Sequence, residues 1–479
     1  MDNSEKNNLI DNQEPVESPM DLGKHAFEVG AEAMKDAVDA TVSTEVEGVK
    51  LMTDATVKTV QKSKDFWQGL GPGLITGAAD DDCSGIQTYS QTGAKYGFGL
   101  LWIAPLTFPL MAVVQEMCAR IGMVTGRGLA SNIRRHFSKW VLFTSTILLF
   151  SANTFNVGAD LGAMAKATQL LFPSVTFWAL VVGFTLLSLG LQIFIPYAKY
   201  AKYLKYMALV LLVYIITAFT IKDFDWIGAL RATVTPHMDF SKEQIILICG
   251  ILGTTISPYL FFWQTSQEVE EQIMEGSTTI ASRQGTDKAA IKKMRTDVWT
   301  GMFLSNLVMY FIIAVCAGTL FKAGIFNIES AAQAAAALRP LAGDQAYLLF
   351  TIGIIGVGLL GVPVLAGSAS YAISESFGWR EGLYRKFREA LLFYGVIIFS
   401  MVVGLAINFI GLDPIKVLIW SAVFNGLVAP VVLVLICLLS NNKKLMGDWV
   451  SDPVTKVIGW LATGLMIVAG IATLYSIFS

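Results

Sequence analysis

A chain that sets one stretch of about 20 apolar residues after another has few folds open to it, because inside a bilayer every backbone amide must find its partner within the protein. Such stretches recur here at about eleven places: 67–92, 97–123, 140–168, 173–195, 200–221, 244–267, 297–322, 343–373, 387–410, 413–440 and 452–478. Of the 479 residues 54% are hydrophobic and 15% charged, with a mean hydropathy of +0.56, values foreign to a water-soluble chain of this length. The sequence therefore predicts an all-α polytopic membrane protein with about eleven transmembrane helices. Its expected surroundings are the lipid bilayer. Nothing points to a nucleic-acid partner, and the oligomeric state, a monomer included, has no signature in the sequence.

The basic residues supply an orientation. Arg127, Arg134, Arg135 and Lys139 follow the second span, Lys199, Lys202 and Lys205 the fourth, and Lys288, Lys292, Lys293 and Arg295 the sixth. Arg380, Arg385, Lys386 and Arg388 follow the eighth, and Lys443 and Lys444 the tenth. The positive-inside rule places all five even-numbered connections in the cytoplasm, with the N-terminus inside and the C-terminus outside. Residues 1–65 are polar and acidic and carry no secretory signal. Apolar residues from Leu22 to Val60 recur at helical spacing and allow an amphipathic surface helix, but the polarity of the segment favours a solvated cytoplasmic tail. Cys83, Cys118, Cys249, Cys316 and Cys437 lie in apolar stretches without paired spacing and read as packing residues.

Two spans are damaged. The first carries Asp80, Asp81 and Asp82 within Gly77-Ala78-Ala79-Asp80-Asp81-Asp82-Cys83-Ser84-Gly85. A charge at the bilayer centre costs roughly 2.5–3.5 kcal/mol and usually marks an ion or substrate path. The sixth span is interrupted by Gly250, Gly253 and Thr254-Thr255-Ile256-Ser257-Pro258, where the proline either opens the helix or only kinks it. Breaks five spans apart point to two inverted five-helix repeats, 66–222 and 243–440, with an extra helix in 441–479 and a site between the breaks near the midplane.

At these residues the chain resembles the Nramp metal-ion transporters over about 65 to 440. The resemblance rests on Gly71-Pro72-Gly73, the acid-bearing first break, Ala119-Arg120-Ile121-Gly122-Met123-Val124-Thr125-Gly126, Asp160-Leu161 and Ser257-Pro258. It implies a LeuT-like fold with broken helices 1 and 6. The family's transition-metal carriers have Asp-Pro-Gly-Asn in the first helix and Met-Pro-His in the sixth, where this chain reads Asp82-Cys83-Ser84-Gly85 and Ser257-Pro258-Tyr259. That pattern is similar to the NRAMP-related magnesium transporters, a prokaryotic branch, and implies the cytoplasmic membrane of a prokaryote. The resemblance maps the metal site onto Asp82, Gly85, Thr254 and Ser257, with the backbone carbonyl of Thr254 toward the ion.

The ligand chemistry agrees with that branch. Without the thioether, the donors are a carboxylate, hydroxyls and carbonyls, hard oxygens suited to Mg²⁺. Gly85 and Ser257 also widen the cavity, which suits an ion that keeps its waters. The expected function is uptake of largely hydrated Mg²⁺, with Mn²⁺ also accepted, the metal being substrate and no cofactor being needed. His25, His136 and His237 lie outside the spans, and the acidic partner usual three residues after Asp160 is Ala163, so transport is expected to be electrogenic and not proton-coupled. An ordinary proton-coupled Mn²⁺/Fe²⁺ symporter and a non-transporting membrane receptor remain alternatives. An enzyme is not indicated, since no nucleophile elbow, His/Glu metal motif or phosphate loop is present. Among other polar groups, Glu116 and Arg120 are expected to pair, and Asn306 and Asn425 either to bridge helices or to line the path. Asp80 and Asp81 either line an inner vestibule or bond to the opened backbone. Glu268, Glu270 and Glu271 read as a solvated helix end.

Overall fold

The first span folds as two helices, α1 (Pro72–Asp80) and α2 (Cys83–Tyr96). There follow α3 (Ile103–Thr125), α4 (Leu129–His136), α5 (Lys139–Leu171), α6 (Phe177–Phe194), α7 (Tyr197–Met207), α8 (Leu212–Thr220) and α9 (Trp226–Val234). The sixth span is again two helices, α10 (Lys242–Thr255) and α11 (Pro258–Met274). The chain closes with α12 (Lys288–Cys316), α13 (Ala331–Phe377, opened at Gly343), α14 (Leu391–Ile407), α15 (Pro414–Ser440) and α16 (Pro453–Phe478). The structure is a computed structural model, and it describes Lys35 and residues 70–479 except 196, 223, 329, 330, 411–413 and 479. The chain divides into two units, Met1–Gly69 and Leu70–Ser479. The amphipathic helix considered for Leu22–Val60 lies outside the described residues, Lys35 apart. No strand occurs among the described residues.

Helices stand at all eleven places expected of the spans. Among the described residues eight are long and apolar enough to cross a membrane, a ninth if Cys83–Leu100 and Ile103–Thr125, bent by 112° at their junction, count as one. Leu391–Ile407 is apolar but shorter.

Both breaks have local causes. Beyond Asp80 the backbone leaves helical geometry at Asp81 (φ −87°, ψ 50°) and runs extended at Asp82 (φ −66°, ψ −180°). Asp82 then caps α2 by accepting the Gly85 amide, the role an N-terminal aspartate fills well. In the sixth span Ile256 (φ −108°, ψ 61°) ends α10, and Pro258 opens α11 at a position whose missing amide costs nothing. Pro258 therefore starts a new helix and does not kink an old one.

Close backbone packing seats the first half-helix. A Cβ on Gly73 would come within 2.5 Å of the Val298 amide nitrogen, and one on Gly77 would collide with the Gly301 carbonyl. Glycine contact of this kind lets membrane helices approach closely where no hydrophobic effect drives them together. Gly77→Val is expected to destabilise the fold by about 1–3 kcal/mol or more through overpacking. Gly250→Ala, whose added methyl would meet its nearest neighbour at 3.5 Å, serves as control. Thermal unfolding in detergent checks this, and equal melting of the two variants would refute it.

Four connections rich in basic residues meet at one end of the bundle. The Gly285 amide donates to Val124 O (3.0 Å), Arg283 Nε to Gly126 O (3.3 Å), and the Ser131 amide to Glu375 Oε2 (3.0 Å). A cavity of about 530 Å³ there joins Arg127 and Arg135 to Gln284 and Lys444. A second, of about 280 Å³, is lined by Glu270, Glu375, Glu381 and Arg283 among others. Burial and the neighbouring Glu375 and Glu270 push the Glu381 carboxyl well above the usual carboxylate range. All five cysteines are buried and unpaired.

Candidate metal centre

Asp82 is the hub of the first break. Its Oδ1 accepts from Ser84 Oγ (2.6 Å) and the Gly85 amide (2.9 Å). Its Oδ2 accepts from Asn156 Nδ2 on α5 (2.6 Å), and Asn156 Oδ1 in turn accepts from Ser421 Oγ on α15 (3.0 Å). Tyr259 of α11 donates to Ala79 O (2.7 Å) and stands 3.4 Å from Asp82 Oδ2. The carboxylate is thus held by residues from three separate parts of the bundle.

The second break is stitched to the first by tyrosines. Ser257 Oγ donates to the carbonyls of Gly253 (2.8 Å) and Thr254 (2.5 Å). Thr254 Oγ1 donates to Ile251 O (3.0 Å) and to Tyr89 OH on α2 (3.3 Å), which is also 3.3 Å from Thr255 Oγ1. Of the four residues assigned to the site, Asp82 and Gly85 share one hydrogen bond, and Thr254 and Ser257 another. The two pairs are linked through Tyr89 and Tyr259 and do not bond directly to each other. The Thr254 carbonyl expected to face the ion takes the Ser257 hydroxyl, while the lone pairs of Ser257 Oγ stay available to accept.

The three carboxylates diverge because the helix stops between them. Asp80 Oδ2 accepts from Ser305 Oγ on α12 (2.7 Å), whereas neither oxygen of Asp81 has a hydrogen-bond partner. Both side chains are wholly buried. Neither lines an open vestibule nor caps exposed backbone, and both expectations for them are corrected. Asp160 is equally buried and lacks a hydrogen bond of ordinary geometry. A Cβ on Gly361 of α13 would lie 3.1 Å from Asp82 Cβ and 3.7 Å from Asp160 Oδ2, so the missing side chain at Gly361 lets both acids approach α13. Among the described residues no three His, Cys, Asp or Glu side chains form a metal-holding group.

Elsewhere the polar groups serve as ties. Glu116 pairs with Arg120 as expected, and also with Arg295 (2.7 Å) and Trp299 Nε1 (2.8 Å), which binds α3 to α12. Asn306 bridges the same helices, its Oδ1 accepting from Thr107 Oγ1 (2.9 Å). The acidic end of α11 is not solvated: Glu268 and Glu270 are buried. Glu270 accepts from Tyr371 OH (2.5 Å) and the amides of Leu383 (2.8 Å) and Tyr384 (3.1 Å), because the connection after α13 folds over it. Asn156 is the residue that sequence reasoning missed. The available signal was its place one helical turn before Asp160, on the same face of an apolar helix.

Comparison with known proteins accords with this architecture. Residues 73–476 match the family described as natural resistance-associated macrophage protein-like. The divalent metal cation transporter MntH of Klebsiella pneumoniae subsp. pneumoniae is 25% identical over 406 residues, covering 83% of this chain and 91% of the relative. That of Deinococcus radiodurans is 25% identical over 406 residues, covering 83% and 87%. A crystal structure of the Eremococcus coleocola manganese transporter superposes with a TM-score of 0.68 at 20% identity, over 86% of this chain and 87% of that one. Mhp1, a nucleobase-cation-symport-1 family transporter, superposes with a TM-score of 0.50 at 14% identity, over 85% and 92%. The fold is the LeuT-like one that the two broken helices imply, and with its family match running through nearly every span the chain belongs to the Nramp family of multi-pass membrane transporters.

Proposed function

We propose that the protein is a divalent-metal transporter that takes up Mg²⁺ and also accepts Mn²⁺, passing a largely hydrated ion between the two broken helices. The observation that carries this reading is the setting of Asp82, one buried carboxylate whose hydrogen-bond partners are hydroxyls and amides. Ser257 stands in the sixth-span break where the family's metal carriers place a thioether. One carboxylate held by hydrogen bonds at the break, with hydroxyls and carbonyls around it and no thioether, suits an ion that retains its waters better than one stripped for direct ligation. In this reading Asp82 supplies charge, and Ser257 and the carbonyls at 253–254 receive hydrogen bonds from the ion's waters. Gly85 leaves room for them. The convergence of four basic connections at one end supports a cytoplasmic N-terminus and an extracellular C-terminus.

Contacts between helices support the two inverted repeats. α5 packs on α6 as α13 packs on α14, and α2 packs on α12 as α11 packs on α3. Each pair of contacts is related by a shift of five spans.

Transport in this reading is driven by the membrane potential, worth about 2.3 kcal/mol per charge per 100 mV. A second reading, proton-coupled Mn²⁺ symport, is favoured by one observation, the buried Asp160 beside Asp82. The relatives' names, a divalent metal cation transporter and a manganese transporter, fit either. Uptake into proteoliposomes under an imposed potential distinguishes them. Mg²⁺ entry that follows the potential without acidifying the lumen supports the first. Metal entry accompanied by protons, with Mn²⁺ competing far below the Mg²⁺ concentration, would replace it with the second.

A further inference from the structure

We propose that Asn156, braced by Ser421, is a specificity-determining residue of the cation site. The inference rests on the reading that Asp82 faces the ion. An ionised carboxylate has about four places to accept a hydrogen bond or a metal, two on each oxygen. Both places on Asp82 Oδ1 are filled, by Ser84 Oγ at 2.6 Å and the Gly85 amide at 2.9 Å. Asn156 Nδ2 at 2.6 Å takes one of the two on Oδ2. The orientation of the Asn156 amide is not arbitrary: its oxygen accepts from Ser421 Oγ at 3.0 Å, which turns the NH₂ group toward Asp82. Asn156 and Ser421 are wholly or almost wholly buried, and they come from α5 and α15, the helices that pack against one another beside the break.

The remaining place on Oδ2 meets only the Tyr259 hydroxyl, at a long 3.4 Å, and that hydroxyl has its near acceptor in Ala79 O at 2.7 Å, so this is the one place an ion or its water can take. The carboxylate makes a single contact there, and the amide hydrogen bond withdraws part of the charge that Oδ2 offers. Such a ligand is weak for an ion that gains by shedding water and binding oxygen directly. It is sufficient for one that keeps its waters and needs only a charge to donate to. Removing the amide returns the second place on Oδ2 and its full charge, and Mn²⁺, which dehydrates more readily than Mg²⁺, profits more.

The test measures the KM for Mg²⁺ and for Mn²⁺ separately in proteoliposomes of the native chain, Asn156→Ala and Ser421→Ala. The expected result for Asn156→Ala is a fall in the ratio of the Mn²⁺ KM to the Mg²⁺ KM on the order of tenfold, the worth of one charge-assisted hydrogen bond. Ser421→Ala, which removes only the brace, shifts the ratio in the same direction by less, and it carries the test if Asn156→Ala does not assemble. A residue that merely packs the helices would lower the maximal rates of both ions together. An unchanged ratio, with native Mg²⁺ uptake intact, overturns this inference and leaves the magnesium reading standing. Absence of Mg²⁺ uptake by the native chain overturns both.

Discussion

Asp82→Asn is expected to abolish metal uptake while the protein stays folded. Asparagine keeps the size of the side chain, and its carbonyl oxygen still accepts the Gly85 amide that starts α2, so the helix keeps its cap. What disappears is the charge, together with the hydrogen bond from Asn156, whose NH₂ then faces another NH₂. In the proposed reading Asp82 is the carboxylate that faces the divalent ion, and among the described residues no three-acid metal-holding group stands ready to replace it, although the buried Asp160 lies nearby. The loss of one charge pair a few ångströms apart amounts to about 4 kcal/mol even at a moderate effective dielectric, or near a thousandfold in binding. Asp82→Ala should lose transport equally and stability as well, by about 1 kcal/mol for the missing cap. Uptake of Mg²⁺ and Mn²⁺ into proteoliposomes, paired with thermal unfolding in detergent, reads both effects. Native-like uptake by a well-folded Asp82→Asn protein would remove Asp82 from the site.

Asp297→Ala is expected to free the start of the first half-helix. Asp297 Oδ1 accepts from the amides of Gly71 (2.8 Å) and Leu74 (3.1 Å), and Oδ2 from that of Gly73 (2.7 Å). These are among the first amides of α1, which have no partner inside the helix, and a carboxylate placed there also meets the positive end of the helix dipole. Lys205 Nζ donates to the Leu70 carbonyl at 2.5 Å from the other side. The entry of α1 is therefore fastened to α12 and α7 by charged side chains that reach its backbone. Hydrogen bonds to a charged group contribute about 1.5–3 kcal/mol each, so their joint loss should speed hydrogen exchange of the Gly71, Gly73 and Leu74 amides by at least a hundredfold. Exchange at α2 and α11 should change little. Asp297→Asn, which can accept with only one oxygen, should fall between. Unchanged exchange at 71–74 in Asp297→Ala would mean that packing against Val298 and Gly301, and not the carboxylate, holds this helix.

The resemblance drawn from short motifs extends through the whole bundle, yet the motifs themselves identify only part of the candidate site. Asp82 and Ser257 stand out because each breaks a hydrophobic pattern at a place where the backbone must open. Asn156 and Asp297 do not stand out in the same way. One is a single polar residue within a long apolar helix, and the other sits at the start of a span, where an acid is ordinary. Glu268 and Glu270 mislead for the opposite reason: a run of acids at a helix end reads as solvated, and only the fold of the connection after α13 buries it.

By itself the sequence determined what depends on neighbouring residues. Span length follows from the thickness of the hydrocarbon layer, and the two breaks follow from glycine, proline and an N-capping aspartate, whose effects act on the backbone within a turn. Only the tertiary structure decided the partners. It turned Asp80 to Ser305 and Asp82 to Asn156, laid α1 against the backbone of α12, and brought both Asp160 and Asp82 up to the place where Gly361 has no side chain. Those contacts join residues that lie far apart in the chain, and which of them meet is set by how the helices pack, not by any local rule a single stretch obeys.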